Sequence, residues 1–431
     1  MMDSTVKRVA DLEPRFAELL RHPVCQAVGE ILENQPCHLV GGALRDAALG
    51  QPLRDLDVVV AGDGAGVANR LAERLGSRSI KVGGHRFAAY RVPYASTPID
   101  IWDRGVVSLE ADLHRRDLTI HSFALDLFSG AAYDPFSGLE DLVNGRLRMT
   151  STESFADDPL RLLRLCRFAA QLTKFRIDPA TLAQARESVE DLTGVASERI
   201  RSEIELTMGQ PNAGTAAQLW IDLEVVPEAL LECPLRFVAR HKFENNLSRS
   251  WRDFERAAAQ LAATRDLSSG RIALILILLE RAGCLADQVA IGILRHRGFV
   301  TKSLSRQVSQ LLAAGDLPAA EPKQRWFLHQ MGELWPIAMS LATAVADQQT
   351  DTEGASVAQA IELAARRPDE IFDPPALISG NDLQRHLSIA PGPRLGRILA
   401  AVRRRQIEGA FTTREGALEI AARLLATADR E

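Results

Sequence analysis

The spacing of apolar positions changes about a third of the way along the chain. Before residue 150, short apolar runs alternate with helical spacing: Cys37 to Val40 runs into Gly41-Gly42, ALRDAALG follows with a helical period, and LDVVVAG is a β-branched run bounded by glycine. VANRLAERL over 67–75 reads as a helix, and SIKVGG, HRFAAYRVPY and TPIDIWD over 79–103 read as further strands. That order predicts an α/β unit up to about residue 150. From Ser154 the period is helical, first over Pro159 to Leu172 and then over 181–192 and 198–208. Turn-forming residues interrupt it near 209–214, Pro234, 318–322, 367–375 and 391–393. The expected fold class is α+β, an α/β head followed by an all-helical neck, body and tail, with boundaries at 1–150, 151–225, 226–345 and 346–431.

Composition adds limits. A chain of 431 residues, 46% hydrophobic and 25% charged, is a soluble globular protein of several packed units, not a disordered or collagenous one. Its longest apolar stretch, Ile272 to Leu279, is far too short to span a bilayer, so no membrane partner is expected. The opening MMDSTVKRVADLEPRF mixes charge signs without an apolar segment, which predicts a cytoplasmic protein. Cys25, Cys37, Cys166, Cys233 and Cys284 are scattered, with no CxxC pair, and read as small buried apolar residues. The net charge of −5 does not announce nucleic acid, yet phosphate contacts need only a local basic stripe. Of the 51 basic residues only six are Lys, so arginine carries almost all the positive charge.

The densest chemical signal lies in LVGGALRDAALGQPLRDLDVVVAG. Gly41 and Gly42 stand where a strand hands over to a helix, so bare N–H groups could approach a phosphate. Asp55 and Asp57, one residue apart at a strand entry, put two carboxylates on one face, as a hard cation such as Mg²⁺ requires; the plain alternative is a solvated strand end. Asp100, in TPIDI, would supply a third acid if its strand lay beside LDVVV, fitting two-metal phosphoryl transfer. Arg115 and Arg116 offer guanidinium forks for phosphate or ribose, with Asp117 to hold them. In FADDPLRLLRLCRF, Asp158 and Arg161 share a helix face, as do Arg161 and Arg164, and could match a base edge; ordinary capping and salt bridging would produce the same spacing. Arg394, Arg397, Arg403, Arg404 and Arg405 fall within twelve residues, partly on one helix face, and form a local basic stripe.

Taken in order, LVGGALRD, DLD, RRDLTIHSFALD, DPFSGLEDL, FADDPLRLLRLCRFA and SERIRSEIEL resemble the class II CCA-adding enzymes and bacterial poly(A) polymerases of the polymerase β nucleotidyltransferase superfamily. The resemblance covers about residues 36–210 and again 376–425, with a weaker middle. It implies that Asp55 and Asp57 hold catalytic Mg²⁺ and that Gly41, Gly42 and Arg45 cradle the triphosphate. It further implies that Arg115, Arg116 and Asp117 contact sugar and phosphates, and that Asp158 and Arg161 select the base without a template. CTP and ATP would be the substrates and the tRNA acceptor arm the partner. A poly(A) polymerase and a non-catalytic RNA-binding relative are the alternative readings.

Several positions depart from the family pattern. Asp157 stands where Glu is usual, and Leu118 and His121-Ser122 interrupt the run that follows RRD. Only eleven residues, IWDRGVVSLEA, separate Asp100 from Asp112. Relatives that add the terminal adenosine usually carry a longer flexible segment there, so this chain is expected to add CC and leave A to a separate A-adding enzyme. RIALILILLERAG reads Glu280-Arg281 where many relatives carry a His-Asp pair, so no HD phosphatase activity is expected and the body is read as a degenerate remnant.

Overall fold

The computed structural model describes residues 8–32, 35–82, 89–95, 97–223, 225, 237–261, 267–281, 301–313, 316–346 and 351–428, with backbone alone at 237–246, 279–281 and 351–352. It divides into two compact units, residues 1–232 and 233–431. The expected head and neck thus share one unit.

In the first unit, α1 (Glu13–Leu20) and α2 (Pro23–Leu32) precede β1 (Cys37–Val40), α3 (Gly42–Ala48), β2 (Leu56–Val60) and α4 (Gly64–Arg74). Then come β3 (Ile80–Val82), β4 (Ala89–Val92), β5 (Ile99–Asp103), α5 (Leu109–His114), β6 (Ala124–Asp126) and β7 (Ala132–Tyr133). These strands form a seven-stranded mixed sheet in the order β3-β4-β5-β2-β1-β6-β7, with β2 and β5 parallel. The central strands are β-branched because their side chains are covered; Val58, Val59 and Val60 are all buried. The predicted run joining SIKVGG to HRFAAY falls partly on 83–88, outside the described residues.

Register decides which charges meet. Asp57 pairs with Asp100 across β2 and β5, and Arg91 of β4 lies opposite Asp100. On the other side Asp57 pairs with Val40, the residue before the glycine turn. One row across the sheet therefore carries Arg91, Asp100, Asp57 and the end of β1.

The chain continues through α6 (Gly138–Asn144), β8 (Arg146–Leu147), α7 (Ser154–Asp157), α8 (Arg161–Gln171), β9 (Arg176–Ile177), α9 (Pro179–Glu187), α10 (Ser197–Met208) and α11 (Ala213–Asp222). The region after 150 is not wholly helical as expected: β9 pairs in parallel with β8. Two residues are too few to register as a period.

The second unit is helical throughout its described residues. The apolar run over 272–279 lies in the helix Ser268–Arg281, with Ile272 to Leu276 and Leu278 buried and Ile277 half-buried. Glu280-Arg281 and the Pro234 break fall outside the described side chains or residues. At the chain's end, helices Gly380–Leu387, Pro393–Ile407 and Arg414–Ala428 enclose Leu383, Ile398, Val402, Ala417 and Ala421. No described helix is long and apolar enough to cross a membrane.

Candidate active site

The site grows from the junction of β1 and α3. Gly41 has φ +75°, and a Cβ there would stand 2.8 Å from Asp57 Oδ2, so glycine lets the turn pass against the carboxylate. Gly42 opens α3 beside Arg45 and Asp55. The expected convergence of three acids is present. Asp57 accepts from Trp102 Nε1 at 2.9 Å, and Asp100 is held by Arg91 in a two-pronged contact of 2.8 and 2.7 Å. Burial pushes the Asp57 carboxyl up to about 6, with Asp55 and Asp100 adding to the rise and Trp102 and Arg116 opposing it. Burial and the neighbouring Asp46 and Asp100 also raise Asp55. Crowded acids facing a bare-backbone turn are the donor set that a divalent cation relieves. Among the described residues no three His, Cys, Asp or Glu side chains form a closed metal cage. Water and substrate oxygens would have to complete the coordination of an ion held by Asp55 and Asp57.

Arg115 and Arg116 follow α5, and Asp112, not Asp117, braces both. Arg115 Nε donates to Asp112 Oδ1 at 3.0 Å and Arg116 Nη2 to Oδ2 at 3.2 Å. Asp112 is 1% exposed and was legible from its i, i+3 and i, i+4 spacing to the two arginines. Arg116 reaches the glycine turn, its Nη1 3.3 Å from the Cβ position of Gly41, and its buried Nε has no hydrogen-bond partner. An unsatisfied guanidinium donor beside a glycine turn is suited to an incoming anion.

Asp117 is buried and bound elsewhere. It accepts from Leu118 N at 2.8 Å, from Arg164 Nε at 2.8 Å, and lies 2.9 Å from His121 Nδ1. Against the cost of burial, Arg164 and His121 hold it well below the usual carboxylate range. Arg45, expected on the triphosphate, is likewise turned inward: it donates to Asp46 and lies 2.7 Å from His121 Nε2. The expected pair on the neck helix is not joined directly. Asp158 accepts from Arg199 at 2.7 Å, while Arg161 donates to Ser154 Oγ at 2.7 Å and to the Arg115 carbonyl. Arg199 carried no sequence signal, since its partner is 41 residues away.

In the second unit, Arg394, Arg397, Arg404 and Arg405 are exposed on Pro393–Ile407. At about 100° per residue they share one face of that helix. Arg403 faces the other way, donating to the Pro374 carbonyl. Arg404 and Arg405 both reach Glu408, and Arg404 lies 5.2 Å from the Trp326 ring centre.

Sheet, glycine turn and paired acids define a nucleotidyltransferase. The poly A polymerase head domain matches residues 37–148, and a putative tRNA nucleotidyltransferase domain 2 matches residues 299–422. A CC-adding tRNA nucleotidyltransferase of Synechocystis sp. is 28% identical over 91% of this chain and 94% of its own length. The multifunctional CCA protein of Xylella fastidiosa is 39% identical over 41% of this chain and 46% of its own. Among solved structures, a CCA-adding enzyme with CTP superposes with a TM-score of 0.72 at 21% identity, covering 96% of this chain and 98% of that one. The Thermotoga maritima CCA-adding enzyme complexed with tRNA gives 0.69 at 20%, over 96% and 98%. The chain is thus similar to CCA-adding tRNA nucleotidyltransferases along nearly its whole length and carries the poly A polymerase head domain over residues 37–148.

Proposed function

We propose that the protein transfers CMP from CTP to the 3′ end of tRNA in the cytoplasm, releases pyrophosphate, and stops after two additions. The observation that carries the stop is the connection between β5 and α5. Arg104 to Ser108 alone join Asp103 to Leu109. That turn is closed by Val107 N donating to the Arg104 carbonyl at 3.1 Å, with Arg104 donating back to the Val107 carbonyl. It has no slack for a segment that could reshape the site between C and A. The full-length resemblance to a CC-adding relative supports the same reading.

Asp55 and Asp57 would hold Mg²⁺, which supplies charge neutralisation at the reacting phosphate and activation of the attacking hydroxyl. Gly41 and Gly42 admit the triphosphate to the backbone, and Arg116 faces it with an open donor. Arg91 holds Asp100 in place beside Asp57 through its two-pronged contact. Arg161 and Asp158, each anchored by a neighbour, stand at the start of α8 to meet a base edge. Catalysis by such a site is mainly positioning and charge stabilisation. The arginine face of Pro393–Ile407 fits the phosphates of the acceptor arm.

The test is incubation of the protein and Mg²⁺ with a tRNA transcript lacking CCA, given CTP, ATP or both, and product lengths read on a sequencing gel. Two added C residues, with no further growth when ATP is present, are expected. Addition of all three nucleotides would overturn the stop, a long A tract would point to a poly(A) polymerase, and no incorporation would leave an RNA-binding relative.

A further inference from the structure

His121 stands at the departure from the family run after RRD, and the fold gives it two fixed partners. Its Nε2 is 2.7 Å from Arg45 Nη1 and its Nδ1 is 2.9 Å from Asp117 Oδ1. A guanidinium only donates, so Nε2 must accept; the proton therefore sits on Nδ1 and is donated to Asp117. The ring is neutral and its tautomer is set.

From these two bonds a continuous chain extends in both directions, buried from Asp46 to Asp117 and half-buried at Arg164. Arg45 Nε donates to Asp46 Oδ1 at 2.8 Å, within the helix that begins at Gly42. Asp117 Oδ2 accepts from Arg164 Nε at 2.8 Å, on the helix that begins at Arg161. Phe168 packs against the middle, 4.6 Å from the His121 ring, with Arg45 at 5.4 Å and Arg164 at 5.5 Å. One end of the chain is the turn facing the phosphates, and the other is the helix facing the base. His121 hydrogen-bonds to both halves of this relay, and Phe168 packs against both.

We propose that His121 is a positioning residue that sets the distance between the glycine turn and the base-selecting helix, so that the phosphates and the base of one nucleotide are gripped together. The proposal rests on the nucleotidyltransferase reading above and adds the link between its two subsites. A leucine would fill the space against Phe168 but strand a donor of Arg45 and an acceptor of Asp117. Glutamine retains one acceptor and one donor, so it can restore both bonds.

The experiment uses the full chain with Mg²⁺ and compares wild type, His121→Leu and His121→Gln. It measures CTP and ATP binding by calorimetry, KM and kcat for each nucleotide on tRNA lacking CCA, and the thermal midpoint. His121→Leu is expected to raise the CTP Kd and KM about tenfold and to narrow the CTP-to-ATP preference, as expected for a lost buried hydrogen bond. The kcat at saturating CTP should fall less, and His121→Gln should recover most of the loss. A folded His121→Leu with CTP affinity and nucleotide preference unchanged would overturn the link. Should that variant fail to fold, Arg45→Lys, which cannot bridge Asp46 and His121 together, gives the same test with the same overturning result. Failure of the wild type to extend tRNA would sink the tRNA reading while calorimetry still judges the link; failure of the wild type to bind either nucleotide would sink both.

Discussion

The two units treat charge in opposite ways. In the first, Arg45, Asp46, Asp100, Asp112, Asp117, Asp141 and Glu203 are buried. In the second, the buried charges among the described residues are Arg271 and Arg325, each tied to a glutamate. Other arginines of the second unit, Arg404 and Arg405 among them, lie on its surface. Burying an ion costs several kcal/mol unless partners repay it, so a fold that buries many is fixing their positions. Surface arginines cost little and attract a polyanion at long range. One unit is built to hold charges still, the other to offer them.

That contrast can be broken most severely at Asp57. Asp57→Asn should lower single-turnover CMP incorporation by about a thousandfold, since the metal contribution it removes is worth several kcal/mol. Its ordinary stability should not fall. A carboxyl raised to about 6 destabilises the native state once ionised above that pH, so the amide should melt no lower than wild type at pH 8. Asp117→Asn is next: it weakens the compensation of Arg164 and His121, and should cost about 3 kcal/mol in urea unfolding. The same type of change in the second unit, Arg404→Ala, should cost about 0.5 kcal/mol or less.

Arg397→Glu combined with Arg405→Glu sharpens the other side. The pair should weaken tRNA binding about tenfold at low salt and flatten its salt dependence, with CTP affinity and melting unchanged. Filter binding across a salt series measures this, and unchanged tRNA affinity would remove the arginine face from the RNA path. A last effect is in pH. Burial lowers His121 to about 4 from 6.5, so between those values the unfolded chain binds a proton that the native chain does not. Stability should therefore decline as pH falls through that window, and His121→Gln should show a shallower decline in equilibrium unfolding.

Local patterns were readable where the cause was local. LDVVV became β2, the glycines became a turn against Asp57, and TPIDI placed Asp100 next to it, because strand register follows from alternation and crossover rules. The neck helix was expected to open on the Asp-Pro pair, but it begins at Arg161 with Leu160 at its cap position and no side-chain cap, and Asp157 ends the preceding helix α7. Partnerships across distance were not readable. Arg45 and His121 are 76 residues apart and Arg164 and Asp117 are 47 apart, so no period or spacing joins them. Arg45 was expected on the substrate because the family resemblance implies it, yet the neighbouring Asp46 and the buried ring of His121 draw it inward. Arg403 was grouped with Arg404 and Arg405 by adjacency, although neighbouring residues on a helix point about 100° apart.

The short parallel pair of β8 and β9 bears on how enzymes of this kind can be recombined. Arg176 N donates to the Gly145 carbonyl at 2.8 Å and Asp178 N to the Leu147 carbonyl at 2.9 Å, so the chain returns after α8 to close on the end of the sheet-bearing region. A gene fusion that joined one enzyme's first 150 residues to another's remainder would pair a donor strand with a foreign acceptor and split Asp117 from Arg164. Crossover points near residue 232 leave both bonds within one parent, and chimeras cut there should inherit nucleotide choice from the first parent as a single heritable block.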